Sequence, residues 1–213
     1  MKIIPTSRAG RIRCTIILLC FVGLLGAYRM DRVARYFLSD KHEGDILFQS
    51  LPHADLVDAI EGISRSEWSH CGILVKHNGR WQVAEAIDVV HYTPLYTWVT
   101  RGRGSKIAAY RLTQSPADAS AKINTGINKL LGRPYDFRYA PEDSEIYCSE
   151  LVYKVYDREL NLPVGTWERL GDLNWKPYEP FIRQMENGNL PLDRPMITPV
   201  ALTRSPLVTC VFH

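Results

Sequence analysis

Three side chains, a cysteine, a histidine and a glutamate, stand where they could together perform nucleophilic catalysis. Cys148 opens a predicted helix over residues 147–160, and the N–H groups and dipole at a helix start favour the thiolate. His70 opens a predicted strand over residues 70–76, from which its imidazole could take the thiol proton. Glu85 lies on the strand that follows and could hold the histidine ring in one tautomer.

The two strands are joined by Asn78-Gly79, a dipeptide typical of a two-residue hairpin turn. Glu85 lies about as far from this turn as His70 and its neighbours, so contact across the hairpin is feasible. Cys71 points to the opposite face because strand side chains alternate, and we expect a core residue rather than a competing nucleophile. Each residue also has an ordinary interpretation: a small buried cysteine, a structural histidine and a solvent-facing glutamate, although residues 83–87 are unusually apolar.

The elements that must position these side chains follow from apolar periodicity and turn residues. Besides the hairpin and the helix at Cys148, the pattern predicts strands over residues 46–49, 89–93, 106–112 and 207–212, and helices over residues 54–63 and 116–131. The segment between residues 163 and 195 is predicted to be loop-rich. This order of elements favours one α+β domain over residues 41–213.

Composition excludes several classes of function. The chain is 46% hydrophobic and 23% charged, as in ordinary globular proteins, and its net charge of +3 comes largely from the amino-terminal segment. We therefore expect no nucleic-acid partner. Phosphate binding is not expected either, because no glycine-rich loop precedes a predicted helix. The five cysteines form no C-x-x-C pair and no disulfide framework, and the six histidines are scattered, so we predict neither a metal nor a cofactor.

The amino terminus has the pattern of an export signal. Residues 1–13 carry four basic and no acidic side chains, and residues 15–27 are almost entirely apolar. The apolar run is shorter than the ~20 residues that span a bilayer comfortably, but the cleavage pattern around Gly26 and Ala27 is poor. We expect residues 1–40 to form an uncleaved signal anchor, with cleaved signal peptide and buried core helix as alternatives. The domain would then face the periplasm or cell exterior.

Five short segments stand out in one order along the chain: residues 44–49 (GDILFQ), 68–73 (WSHCGI), 83–86 (VAEA), 132–137 (GRPYDF) and 147–153 (YCSELVY). Together they resemble the YiiX/YebB-like hydrolases, which belong to the permuted branch of the NlpC-type papain-like proteins. The resemblance covers about residues 43–160, with a weaker similarity in residues 197–202. It implies a circularly permuted papain-like fold, an antiparallel sheet with packed helices, in which the histidine strand precedes the cysteine helix.

The same resemblance implies the roles of individual residues. Cys148, His70 and Glu85 match the family's triad of nucleophile, general base and orienting acid. Tyr135 matches a tyrosine that helps to line the oxyanion site. Cys71 departs from the aliphatic residue expected directly after the histidine.

The implied function is that of a cell-envelope cysteine hydrolase that cleaves an amide bond, in a peptide or acyl-amide substrate, through a thioester. Two alternatives stay open. One is a lipid acyltransferase or thioesterase of the lecithin retinol acyltransferase-like type, although those relatives use a second histidine where this chain has Glu85. The other is a non-catalytic module that binds envelope peptides. In each case the membrane is a partner through the amino-terminal segment.

Overall fold

The structure is a computed structural model of the chain, and it describes residues 8–140 and 142–213. Residues 1–7 of the predicted leader lie outside the described residues. Contacts divide the chain into two compact units with a boundary between Ser39 and Asp40. In the described part of the first unit the chain forms the helix α1 (Arg8–Leu38), which includes the apolar run of residues 15–27. Among the described residues, no helix combines the length and apolar character required to cross a membrane.

The second unit is built on an antiparallel sheet. Its strands are β1 (Ile46–Gln49), β2 (His70–His77), β3 (Arg80–Ala86), β4 (Val90–Pro94), β5 (Ile107–Leu112), β6 (Glu168–Arg169), β7 (Pro195–Met196) and β8 (Val208–Phe212). Six strands pair in the order β4-β3-β2-β1-β5-β8, and β6 pairs with β7 separately. Its helices are α2 (Asp55–Ser64), α3 (Leu95–Arg101), α4 (Ala119–Leu130), α5 (Cys148–Leu160), α6 (Glu179–Met185) and α7 (Pro199–Thr203).

The predicted α+β fold with an antiparallel sheet and packed helices is confirmed. Every strand and helix predicted in the second unit is present, with boundaries displaced by three residues at most. Helices α3, α6 and α7 were not predicted, because they have five to seven residues each and are too short to show a helical period.

The hairpin of β2 and β3 brings the histidine and glutamate strands together. Asn78 and Gly79 have φ values of 51° and 73°, the left-handed conformations that a primed two-residue turn requires. A side chain at Gly72 would place its Cβ 2.5 Å from Val83 Cγ1 and 2.8 Å from the Ala84 carbonyl oxygen. Glycine is therefore needed at this position for β3 to approach so closely.

The sheet is covered differently on its two faces. Helices α4 and α5 pack on one face, where buried residues such as Ile73, Ala84 and Leu151 belong to a continuous core. Glu85 follows the core residue Ala84 in β3, so its side chain points to the opposite face of the sheet. There it contacts Trp98 of α3. The short helix α3 thus covers the face that carries the glutamate.

Candidate active site

The predicted nucleophile is the first residue of α5, and the start of this helix is fixed by local hydrogen bonds. The Glu150 side chain accepts from the backbone N–H of Tyr147 (3.4 Å) and so caps the helix. The Tyr147 hydroxyl accepts from the N–H of Ile197 (3.0 Å), and the Ser149 hydroxyl donates to the Ile197 carbonyl (2.7 Å). Cys148 is therefore held between two residues that are both tied to one distant backbone position.

His70 and Glu85 form a buried pair on the face of the sheet that α3 covers. The Nε2 atom of His70 lies 2.5 Å from Glu85 Oε2, and the side chains are 2% and 0% exposed. The hairpin register explains the contact. Ile73 of β2 pairs with Ala84 of β3, so the next residues, Gly72 and Glu85, lie opposite each other. His70 lies two residues before Gly72 and therefore on the same face of the sheet as Glu85. The structure thus brings these two predicted site residues together.

Three further residues, none of them predicted from the sequence, hold the Glu85 carboxylate. Arg101 Nη2 lies 2.5 Å from Oε2, Trp98 Nε1 donates to the same oxygen (3.0 Å), and the Thr93 hydroxyl donates to Oε1. Trp98 and Arg101 are three residues apart, so a helix prediction for residues 95–101 would have placed them on one face.

The pKa values of His70 and Glu85 are both shifted strongly from their usual values. Burial raises the pKa of Glu85, but hydrogen bonds and charges from His70 and Arg101 lower it more, so it lies well below its usual range. Burial lowers the pKa of His70, but hydrogen bonds to Cys148 and Glu85 and their charges raise it to about 9 overall. At neutral pH the pair is an imidazolium beside a carboxylate.

Cys71 and His70 lie close enough to Cys148 for both side chains to change the pKa of its thiol. Together they outweigh burial and hold the pKa of Cys148 well below its usual value. Burial first, and then the neighbouring Cys148 charge, raise the pKa of Cys71 well above its usual value. Cys71 lies in the core, as expected.

Tyr135 is buried and lies next to a second tyrosine that the sequence analysis missed. The hydroxyls of Tyr135 and Tyr139 are 3.2 Å apart. Burial raises the pKa of both tyrosines, and the charge of Cys148 adds to the rise, so both phenols stay protonated at neutral pH. The aromatic residues of the loop before α5 were the available sequence signal.

Cys148 is only 2% exposed, but it lines a cavity of about 80 Å³. Most of the lining is apolar and comes from α2, α6 and the segment before α7, with Ile60, Ile182 and Ile197 as examples. Arg138, Glu186 and Arg194 are the charged side chains of the lining. Of the two tyrosines, Tyr139 is the one that lines it. A ligand can therefore reach the sulfur through an apolar cavity.

The arrangement predicts the pH dependence of alkylation. The rate constant for alkylation of Cys148 by iodoacetamide should already be at a plateau near pH 7, because the low pKa of Cys148 keeps it a thiolate. It should change again when His70 loses its proton at about pH 9. Peptide mapping of the labelled cysteine between about pH 4 and 10 measures this profile, with Cys210, an exposed thiol, as the internal control. A rise at Cys148 only near pH 8 to 9, as for an ordinary thiol, contradicts it.

Comparisons with family models, with curated proteins and with solved structures all lead to the same family. Residues 40–212 match the family model described as permuted papain-like amidase enzyme, YaeF/YiiX, C92 family. Protein YiiX of Escherichia coli K12 is 32% identical over 171 residues, which are 79% of this chain and 84% of YiiX. The crystal structure of the metalloprotein yiiX from Escherichia coli O157:H7 superimposes with a TM-score of 0.76 at 31% identity, and the match covers 81% of this chain and 97% of that one.

Proposed function

Because this chain belongs to the C92 family of permuted papain-like amidases and is therefore a cysteine hydrolase, we propose that it hydrolyses amide bonds through a triad of Cys148, His70 and Glu85. One observation carries the proposal. His70 Nε2 and Glu85 Oε2 make a buried contact of 2.5 Å, and Cys148 at the start of α5 is near enough to this histidine to raise its pKa.

In the proposed reaction the Cys148 thiolate attacks the carbonyl carbon of the scissile amide. The His70 imidazolium then gives its proton to the leaving amine as the carbon–nitrogen bond breaks, and a thioester remains on Cys148. A water molecule attacks the thioester, His70 takes its proton, and the acid is released as the thiolate re-forms. Glu85 holds the ring and stabilises the imidazolium throughout.

The oxyanion that forms during each attack needs donors close to the sulfur. The N–H groups at the start of α5 are one source, since helix starts favour negative charge. The hydroxyls of Tyr135 and Tyr139 are the other, because both remain protonated and lie within the field of Cys148. These donors stabilise developing charge in a site from which most water is excluded.

Two substrate classes are candidates for this chemistry. The first is an amide bond of a cell-envelope peptide, which agrees with the amidase family and the export-like leader. The second is an acyl group carried on a lipid, in an acyltransferase or thioesterase reaction. The cavity favours this second candidate, because Leu56, Ile60 and Ile182 offer an aliphatic chain a place next to Cys148 and bury its apolar surface.

A matched substrate series separates the two classes. The full chain is given amides and thioesters with short or long acyl chains and one common leaving group, together with envelope peptides. Release of the leaving group is measured, as is the mass added to Cys148. Ala59→Phe is the matched variant, since Ala59 lines the cavity and is buried without belonging to the triad.

A preference of about tenfold or more for long acyl chains, lost in Ala59→Phe, selects the acyl candidate. Equal turnover of envelope peptides by the wild type and by Ala59→Phe selects the amide candidate. If no substrate is turned over and no adduct forms on Cys148 in either protein, the proposed function is wrong, and a binding module becomes the better description.

A metal has no part in this mechanism. The related yiiX structure is described as that of a metalloprotein. In this chain, no three or more His, Cys, Asp or Glu side chains of residues 8–140 and 142–213 are grouped as metal ligands. The Glu85 carboxylate also lies beside the Arg101 guanidinium, whose positive charge disfavours a cation there. The site residues therefore do not fit a metal, and no step is assigned to one.

The proposal extends to location: residues 1–40 direct export and attach the chain to the membrane, with the domain facing the cell exterior or periplasm. The basic residues before position 14, the apolar run of residues 15–27, and the exposed side chains of Ile17 and Leu24 support this. Fractionation of cells that express the full chain tests it. Recovery of the chain in the cytoplasmic fraction alone would rule out this location.

A further inference from the structure

One wall of the Cys148 cavity is made by residues 186–196, the cover segment, which begins directly after α6 and ends with β7. Four of its residues line the cavity: Glu186, Pro191, Arg194 and Met196. All residues of the cover segment are half-buried or exposed, whereas Cys148 is 2% exposed. A thin surface segment therefore helps to enclose a buried sulfur.

The side chain of Arg194 ties the cover segment to the loop before α5. Its Nη1 and Nη2 atoms donate to the two carboxylate oxygens of Glu186, with 3.1 Å between Nη2 and Oε2. Nη1 also donates to the backbone carbonyl of Arg138, which itself lines the cavity. The Arg194 and Glu186 side chains are 20% and 11% exposed, so solvent screens this pair less than a surface pair. Charge-assisted bonds to both carboxylate oxygens are among the stronger hydrogen bonds.

Backbone hydrogen bonds hold the other side of the cover segment. The N–H groups of Leu170 and Gly171 donate to the carbonyls of Arg194 (3.1 Å) and Leu192 (2.8 Å). These bonds do not involve the Arg194 guanidinium, so they persist when its side-chain contacts break. Loss of the side-chain contacts would therefore release the cover segment from the loop at Arg138 and leave it attached to residues 170–171.

The size of the cavity indicates that this contact has to open for larger substrates. The cavity of about 80 Å³ is smaller than the ~300–1,000 Å³ of ordinary ligand pockets. An amide with groups on both sides of the scissile bond needs more room than that. Helices α2 and α5 contribute buried residues such as Val57 and Leu151, but the cover segment lies at the surface, where local opening costs least.

We propose that Arg194 is a specificity-determining residue: its bonds to Glu186 and to the Arg138 carbonyl hold the cover segment closed, and substrates too large for the closed cavity reach Cys148 when these bonds break. This inference rests on the proposed function, because it concerns access to the same nucleophile. Arg194 takes no part in the bond-breaking steps and acts through the size of the space beside the sulfur.

Alkylation by a small and a bulky reagent tests the proposal. Iodoacetamide and fluorescein-5-maleimide are reacted with the full chain, and peptide mapping gives the rate constant of each reagent at Cys148. The ratio of bulky to small, divided by the same ratio at the exposed Cys210, measures access, because the reactivity of the thiolate itself largely cancels. The variants are Arg194→Met and Glu186→Gln. Thermal unfolding shows which of them fold, and Glu186→Gln carries the test if Arg194→Met does not.

Arg169→Met is the matched control. Arg169 lies 3.9 Å from Asp193 of the same cover segment, but this pair is exposed and neither residue lines the cavity. An exposed ion pair contributes little to stability, so the ratio should stay at the wild-type value. Cys71 is a second control, because its thiol is buried in the core and should stay unlabelled when opening is local.

The expected result is a rise of about tenfold in the ratio for Arg194→Met, since its charge-assisted bonds no longer oppose opening. The rise should be smaller for Glu186→Gln, in which Arg194 keeps its bond to the Arg138 carbonyl. Ratios equal to the wild type in the folded variants overturn the inference, and so does labelling of Cys71 in step with Cys148, which shows unfolding of the whole domain.

The same data judge the proposed function separately. A low pH midpoint for iodoacetamide at wild-type Cys148, together with unchanged ratios in the variants, overturns the inference alone and leaves the nucleophile standing. A wild-type midpoint near that of an ordinary thiol, about pH 8 to 9, removes the proposed function and the inference with it.

Discussion

Replacement of Cys148 by alanine is expected to lower kcat/KM for a turned-over substrate by about 10⁴-fold or more, because in the proposed reaction the thioester forms on the sulfur of this residue. Cys71 cannot substitute for it, since its thiol is fully buried and its raised pKa keeps it protonated. The measurement is steady-state hydrolysis by the full chain, with the intact mass of the enzyme recorded during turnover. An acyl adduct should form in the wild type and be absent from the variant.

Cys148→Ser is the matched control, because it keeps the shape of the side chain but does not ionise at neutral pH. It should fold as the wild type does and be nearly as inactive as the alanine variant. Both variants should also lower the pKa of His70 from about 9, since Cys148 is one of the two groups that raise it. Turnover by Cys148→Ala within tenfold of the wild type would show that the reaction proceeds through another residue.

Replacement of Glu85 by glutamine is expected to lower kcat/KM by about 10²- to 10⁴-fold. Glutamine has the same shape but no charge, so the imidazolium of His70 loses one of the groups that stabilise it. The pKa of His70 should fall, and nuclear magnetic resonance of its ring protons measures that fall. An unchanged pKa of His70 together with unchanged turnover would contradict the role of Glu85.

The same variant should be less stable at neutral pH. The pKa of Glu85 is depressed in the folded chain, so its charge stabilises the fold above the unfolded pKa near 4.5, and this stabilisation is lost as pH falls through the folded value. Removal of one partner from a buried charge pair lowers the free energy of unfolding by about 3 kcal/mol. In this variant the loss arises because Arg101 keeps its charge but no longer has the Glu85 carboxylate beside it. Chemical denaturation at neutral and acidic pH measures the difference, which should shrink as the pH falls.

A double variant separates stability from catalysis. Glu85→Gln combined with Arg101→Met removes both charges and should recover part of the lost stability, since no unpaired charge remains. Its turnover should stay as low as that of the single variant, because the imidazolium still lacks its carboxylate. Recovery of turnover along with stability would assign Glu85 a structural role only.

The sequence alone was sufficient for the elements that carry the three predicted site residues. Alternation of apolar residues and the Asn78-Gly79 turn defined the hairpin, and the helical spacing of apolar residues predicted the helix that begins at Cys148. These features depend on residues close together in the chain. The order and spacing of the five segments then led to the family, which the comparisons confirm.

Only the tertiary structure decided what surrounds those residues. Arg101 reaches Glu85 because a seven-residue helix packs on the hairpin. The cavity combines α2, α6 and the residues around Tyr139, which are far apart in the chain. Periodicity along a chain specifies which face of an element is buried, but not which other element covers it. Contacts between distant elements depend on how their surfaces pack in three dimensions, and that is why these partners were not predicted.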